Sequence, residues 1–183
     1  MAAMTSLHVP FDGWTVDDLP DVEFRYELVD GALLVTPPET PRNGRIACRL
    51  LVRLAPALDG DWLDGDWEVL LGNGVYFDRR NYREPDLYVC RREAVDAGRV
   101  NATDVMLAVE VMSPSSVAND RIAKPAQYAA AGIPHFWRIE SDPRVLVTHD
   151  LADGVYRETG RFDDVVTVTQ PVMLRFRLVD LFD

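Results

Sequence analysis

Two acids and one amine lie along this chain at positions from which they could hold a divalent metal beside a phosphodiester. The acids are Asp86, which follows Pro85 and opens the run Asp86-Leu87-Tyr88-Val89-Cys90, and Glu110, the one charged residue in Val105-Met106-Leu107-Ala108-Val109-Glu110-Val111-Met112. The amine is Lys124, the only lysine in a chain whose Lys and Arg together number 19. A buried carboxylate is costly unless it is paired or on a metal, and magnesium is content with one or two carboxylates when water and phosphate oxygens complete its shell. An ammonium is a compact charge that can orient water or steady a phosphoryl oxygen; arginine, effectively never deprotonated, is a different tool. Each residue also has an ordinary reading: Glu84 and Asp86 at the solvated start of a strand, Glu110 meeting an arginine, Lys124 an accident of composition.

The elements that must position them follow from the same residues. Both apolar runs have the length and Val/Leu content of buried strands. Side chains alternate along a strand, so Glu84 and Asp86 share a face with Tyr88, and Glu110 shares one with Ala108 and Met112. If the two strands pair in register, the acids converge. The spacing predicts a helix over 119–131, with Ile122 and Tyr128 facing inward and Gly132 just past its end. Lys124 precedes Pro125, which puts the amine at a helix start or a kink. Upstream, Phe24 to Val29 and Ala32 to Thr36 flank Asp30-Gly31, the dipeptide of a type I′ hairpin, with Glu27 on the first strand. Glu27 is either a cross-strand partner for an arginine or a third acid near the metal.

Several blocks of the chain, in order, carry a resemblance. Phe24-Arg25-Tyr26-Glu27-Leu28-Val29-Asp30-Gly31, Pro85-Asp86, Glu110-Val111-Met112-Ser113-Pro114-Ser115-Ser116, Asp120-Arg121 with Lys124 to Tyr128, and Ala131-Gly132-Ile133-Pro134-His135-Phe136-Trp137 resemble the Uma-type restriction endonucleases. These are bacterial proteins of the PD-(D/E)XK nuclease superfamily. The similarity spans residues 16 to 182. It implies a restriction-endonuclease-like core, metal-dependent cleavage of nucleic acid, and Glu27, Asp86, Glu110 and Lys124 as the catalytic site, with Asp86 and Glu110 on Mg2+ or Mn2+. Two departures stand out. The superfamily lysine sits two residues after the acid, where this chain has Met112, and the Uma-type proteins resemble this chain in using a lysine from the following helix, here Lys124. Where many relatives have a histidine early in the first long helix, this chain has Asn43.

At 183 residues one domain is the default, preceded by a loosely ordered arm over 1–15. No apolar run is long enough for a membrane span and the first ten residues lack a signal-peptide pattern, so the chain is expected to be soluble and cytoplasmic. Cys48 and Cys90 have no CxxC spacing, which argues against zinc and against a disulfide framework. A net charge of −11 opposes nonspecific affinity for nucleic acid, although local distribution and a bound ion can offset it. Two basic clusters, Arg42-Arg45-Arg49-Arg53 at helical spacing and Arg79-Arg80-Arg83 ahead of Asp86, are either solvated faces or a phosphate track.

Elsewhere, Thr15 is a candidate cap for a short helix to Leu19. Thr40 and Pro41 read as the cap and first position of an amphipathic helix reaching Leu58, with Pro56 near its end. Trp67 to Leu71 and Val75 to Asp78 read as a second hairpin around Gly72-Asn73-Gly74, with Glu68 on its edge. Residues 91–104 read as a polar loop with one helical turn. Strands over 135–140, 144–150, 155–159, 165–170 and 172–176 read as C-terminal hairpins extending the sheet, with His135 and His149 in structural roles. No Gly-rich phosphate loop or GxSxG element is present. The expected fold is therefore α/β: a central mixed β-sheet flanked by helices, with extra C-terminal β-hairpins. Its expected function is a metal-dependent endonuclease acting on nucleic acid, DNA before RNA, as a homodimer; the alternative is a non-catalytic protein-interaction module that keeps the fold.

Overall fold

Alternation along the two central strands decides the layout. The computed structural model describes residues 12–19, 25–35, 40–59, 63–64, 66–112 and 122–183. Its strands and helices run β1 (Tyr26–Val29), β2 (Ala32–Val35), α1 (Pro41–Ala57), β3 (Trp67–Leu71), β4 (Val75–Asp78), β5 (Asn81–Arg83), β6 (Leu87–Arg91), α2 (Arg92–Asp96), β7 (Val105–Val111), α3 (Lys124–Ala130), β8 (His135–Ser141), β9 (Arg144–Ala152), β10 (Val155–Phe162), β11 (Val165–Val168) and β12 (Leu174–Arg177). A six-stranded sheet has the order β10-β9-β8-β7-β6-β3, a four-stranded sheet the order β2-β1-β5-β4, and β11 pairs with β12 alone. The large sheet is mixed, as expected: β7 and β8 are parallel, and β6 and β7 antiparallel. A parallel neighbour requires a crossover, and α3 lies within it.

Leu87, Val89, Leu107, Val109 and Val111 point to one side of that sheet and join Ile46, Leu50 and Leu54 of α1 in the main apolar core. Tyr88, Cys90 and Ala108 point to the other side and pack with Tyr128 of α3, Ile133 and Phe136. Helix α1 starts where its residues say it should. Thr40 caps it by accepting a hydrogen bond from the Asn43 backbone N–H at 3.3 Å, and Pro41 occupies the first turn, where no N–H is needed. The Asp30-Gly31 turn also forms, with φ of 49° and 82° at its two residues. Gly31 is needed twice over, since a Cβ there would lie 2.3 Å from the Arg80 guanidinium.

Several expectations are corrected. The second hairpin does not exist: β3 pairs with β6 and β4 pairs with β5, so Gly72-Asn73-Gly74 carries the chain from one sheet to the other. A Cβ on Gly74 would lie 1.8 Å from the Tyr82 ring, so the glycine makes room for that ring. The C-terminal strands extend the large sheet only through β10; β11 and β12 form their own ladder. Ile122 is 71% exposed, because six residues at about 100° each leave it about 120° around the helix from buried Tyr128. Residues 16–18 form a turn closed by Thr15 and Asp18 in place of a short helix. Of the expected arm over 1–15, residues 1–11 lie outside the described residues, while Trp14 is buried against Leu28 and Tyr82. The expected strand break at Ser113-Pro114 and the start of the helix at 119–121 also lie outside them.

Candidate active site

Register places the two strand acids side by side. Leu87 stands opposite Val109, so one step further sets Asp86, just before β6, opposite Glu110 in β7. The Val111 backbone N–H donates to Asp86 Oδ2 at 2.7 Å, and Asn43 Nδ2 donates to the Val111 carbonyl at 3.0 Å, tying the first turn of α1 to the same strand end. Lys124 begins α3 with Pro125 in the first turn, so the proline costs no hydrogen bond and the amine sits at a helix start. Its Nζ lies 2.8 Å from Glu110 Oε2 and 3.5 Å from Glu27 Oε1. Tyr128, four residues on and hence on the same helix face, donates its hydroxyl to Glu110 Oε1 at 2.5 Å. Burial and the Glu110 charge hold the Tyr128 hydroxyl well above its usual pKa, which keeps it a donor.

The four-stranded sheet brings the remaining groups. Glu27 on β1 meets Arg83 on β5, with Nη1 2.5 Å from Oε2, and it also accepts from the Glu84 backbone N–H at 3.3 Å. Glu27 therefore has the cross-strand arginine of its first sequence reading, and it lies beside the amine that reaches Glu110. Arg83 goes on to grip Gln127 of α3 through Nε at 2.7 Å, clamping that helix to the small sheet. Arg25 spans Glu84 Oε2 at 3.0 Å and Asp86 Oδ1 at 3.2 Å. Glu84 also accepts from the Tyr82 hydroxyl at 3.2 Å, and burial pushes its carboxyl above the usual range against the pull of Arg25.

The structure thus brings Asp86, Glu110, Glu27 and Lys124 into one charged network, and each of the four is buried. The acids Glu27, Glu84, Asp86 and Glu110 face the cations Arg25, Arg83 and Lys124. Charged groups this deep persist only when paired. Among the described residues no set of three or more His, Cys, Asp or Glu side chains is arranged to hold a metal. The hard-oxygen pair Asp86 and Glu110 nonetheless suits a hard divalent ion that keeps most of its ligands as water or phosphate oxygen. Each Asp86 oxygen accepts one hydrogen bond from the described residues, and a carboxylate oxygen has two lone-pair sites.

Arg25, Gln127 and Tyr128 were not singled out as site residues by the sequence, and Arg83 was read only as part of the basic cluster ahead of Asp86. Tyr128 had a usable signal, its four-residue spacing from Lys124; the tie of Arg83 to Glu27 had none, since the two are 56 residues apart. Glu68, the other acid weighed for the site, pairs instead with Arg92 at 3.3 Å. The basic clusters are largely spent on the fold. Arg45 and Arg49 donate to the Phe182 and Asp180 carbonyls, Arg53 reaches the Asp180 carboxylate, and Arg80 holds the Asp12 and Asp30 carbonyls. His135 pairs with Asp150 at 2.8 Å, and burial lowers the pKa of His149, which stacks on Phe136.

No curated protein matches the chain. Among solved structures it is similar to one described as a putative nuclease belonging to DUF820 from Anabaena variabilis ATCC 29413, with a TM-score of 0.70 over 92% of this chain and 97% of that one, at 17% identity. That likeness shows a shared fold. A protein-family model, Uma2, described as putative restriction endonuclease, matches residues 15–179. With nearly its whole length matched, and with the acid pair and the amine of its sequence gathered at one end of the central sheet, the chain belongs to the Uma2 family.

Proposed function

We propose that this protein is a divalent-metal-dependent endonuclease that hydrolyses phosphodiester bonds in nucleic acid, DNA in preference to RNA, with Asp86, Glu110, Lys124 and Glu27 as its catalytic residues. The observation that carries this reading is the buried Lys124 ammonium, 2.8 Å from Glu110 and 3.5 Å from Glu27, at the strand end where Asp86 stands opposite Glu110. A Mg2+ or Mn2+ ion on Asp86 and Glu110 would supply a bound water of lowered pKa and positive charge beside the phosphoryl group. In the reaction the water oxygen forms a bond to phosphorus, the bond from phosphorus to the leaving sugar oxygen breaks, and that oxygen takes up a proton. Lys124 holds positive charge where the phosphoryl oxygens gain negative charge. Glu27 and Glu110 aim its amine, and Arg83, bonded to both Glu27 and Gln127, fixes α3 so that the amine cannot swing away. Tyr128 orients Glu110 by its hydrogen bond, and Arg25 does the same for Asp86.

On this reading the protein works in the cytoplasm as a homodimer. Among the described residues the outer strand β10, with its half-exposed Val155, has no strand partner on one side and offers that edge to a second copy. The test is metal-dependent cleavage of single- and double-stranded DNA and RNA by the wild type and by Glu110→Gln, a variant that keeps the shape and removes the charge. Cleavage by the wild type that falls at least about 100-fold in the variant is expected; equal activity in the two removes Glu110 from the mechanism. A specific observation favours the second reading, a non-catalytic interaction module: the carboxylates are already answered by protein cations. Calorimetric titration with manganese decides between them, since binding that disappears in Asp86→Asn is incompatible with a purely self-satisfied network.

A further inference from the structure

Arg138 of β8 stands directly beside Glu110 of β7, its partner in the parallel ladder. Neighbouring strands lie about 4.8 Å apart, so the root of Arg138 is one strand spacing from the acid pair, on the side of Glu110 away from Asp86. Phe136, two residues earlier in the strand, packs with Tyr128 of α3. Alternation therefore turns Arg138 to the same face of the sheet as the acids.

The state of its guanidinium is the second observation. The side chain is 13% exposed, and among the described residues it donates only through Nε, to Glu140 Oε1 at 2.9 Å. Nη1 and Nη2 have no partner among those residues, yet neither is sealed from solvent: the buried polar atoms left without a partner there are Tyr88 Oη, Trp137 Nε1 and Ser141 Oγ. Arg161 of β10 shows what a fully engaged group looks like. It lies on the same row across the sheet, through Val147 of β9, and grips Glu158 with Nε at 3.0 Å and Nη2 at 2.9 Å. There one carboxylate matches a whole edge of the guanidinium. On Arg138 the buried Glu140 takes Nε alone. It sets the direction of the group and leaves the outer edge as an open fork of N–H donors.

Such a fork recognises a carboxylate or a phosphate through paired N–H bonds. Beside a centre that acts on phosphodiesters, the anion at hand is the next phosphate of the substrate strand. Lys124 and an ion on Asp86 and Glu110 would serve the scissile group, and Arg138 is rooted one strand further along the sheet. We infer that Arg138 is a phosphate-binding residue, whose open edge takes the non-bridging oxygens of the phosphate adjoining the scissile one. The inference rests on the phosphodiesterase reading of the acid pair. It gives a chain of net charge −11 a local hold on its substrate that its overall charge does not supply.

The experiment follows the fluorescence anisotropy of a labelled single-stranded DNA oligonucleotide titrated with the whole protein over a series of salt concentrations, without divalent metal so that nothing is cut. Arg138→Gln is expected to weaken binding about tenfold and to flatten the salt slope by about 0.7, the share of one phosphate on a single strand. Arg161→Gln removes the same charge from the same face and is expected to change Kd by less than about twofold. Arg138→Lys should restore the slope but not the whole affinity, since an ammonium offers no fork. Arg138→Gln combined with Glu140→Gln removes acid and base together, and should bind as weakly as Arg138→Gln even where the single variant folds poorly. Equal losses from Arg138→Gln and Arg161→Gln overturn the inference, as does wild-type affinity in either Arg138→Gln protein, or no binding by the wild type. The two proposals fail separately. DNA held through Arg138 but left uncut with magnesium or manganese removes the cleavage alone, and cleavage by a protein whose DNA affinity ignores Arg138 removes the phosphate contact alone.

Discussion

The two faces of the central sheet are made by the same two strands and have opposite characters. On the α1 side, Leu87, Val89, Leu107, Val109 and Val111 meet Ile46, Leu50 and Leu54 in the main apolar core. On the α3 side, the alternate residues run from Tyr88 and Ala108 to Asp86 and Glu110, where Lys124, Arg25 and the small sheet close over them. A period of two lets one strand serve stability on one face and chemistry on the other. The two functions are separable to the extent that a change on one face leaves the other in place, and buried charge on the α3 side makes that face the more costly to disturb.

The largest effect should come from Lys124→Met. Removing the amine leaves Glu110 without the cation 2.8 Å away, and we expect a loss of about 3–5 kcal/mol in urea unfolding together with cleavage reduced at least about 100-fold. Lys124→Arg should recover more of the stability than of the activity, because a planar guanidinium cannot occupy the place of a compact ammonium. Next comes Leu107→Ala on the apolar face. It should cost about 2–5 kcal/mol while the folded fraction cleaves at the wild-type rate; a drop in kcat beyond the unfolded fraction would break the division between faces. The smallest effect is expected from Arg49→Ala on α1, whose guanidinium is bonded to the Asp180 carbonyl at 3.3 Å. Stability should change by about 0.5 kcal/mol, and the dependence of DNA binding on salt should not change at all. A shallower salt slope would make that helix a phosphate track after all.

How much of this was legible beforehand differs from residue to residue. The pairing of Asp86 with Glu110 could be anticipated, because both sit in apolar runs whose alternation assigns their faces. The place of Lys124 could be anticipated from its being the only lysine, but not its distance, which depends on α3 beginning at that residue. The false hairpin at Gly72-Asn73-Gly74 shows the limit. A glycine-rich turn between two strands reads the same whether it joins neighbours in one sheet or carries the chain into another. The arginines of α1 kept helical spacing and were equally consistent with solvent, nucleic acid or their actual partners near the C-terminus.

By itself the sequence determined what neighbouring residues decide: the α1 start at Thr40 and Pro41, the Asp30-Gly31 turn, the buried strands and the faces their side chains take. Only the tertiary structure decided which strands pair, that Arg83 would bridge Glu27 and α3, and that the arginines of α1 would serve the C-terminus. The reason is physical range. Backbone dihedrals and alternation answer to residues within a turn or two, whereas strand edges and long charged side chains take whatever partner folding brings within about 3 Å, however distant in the chain.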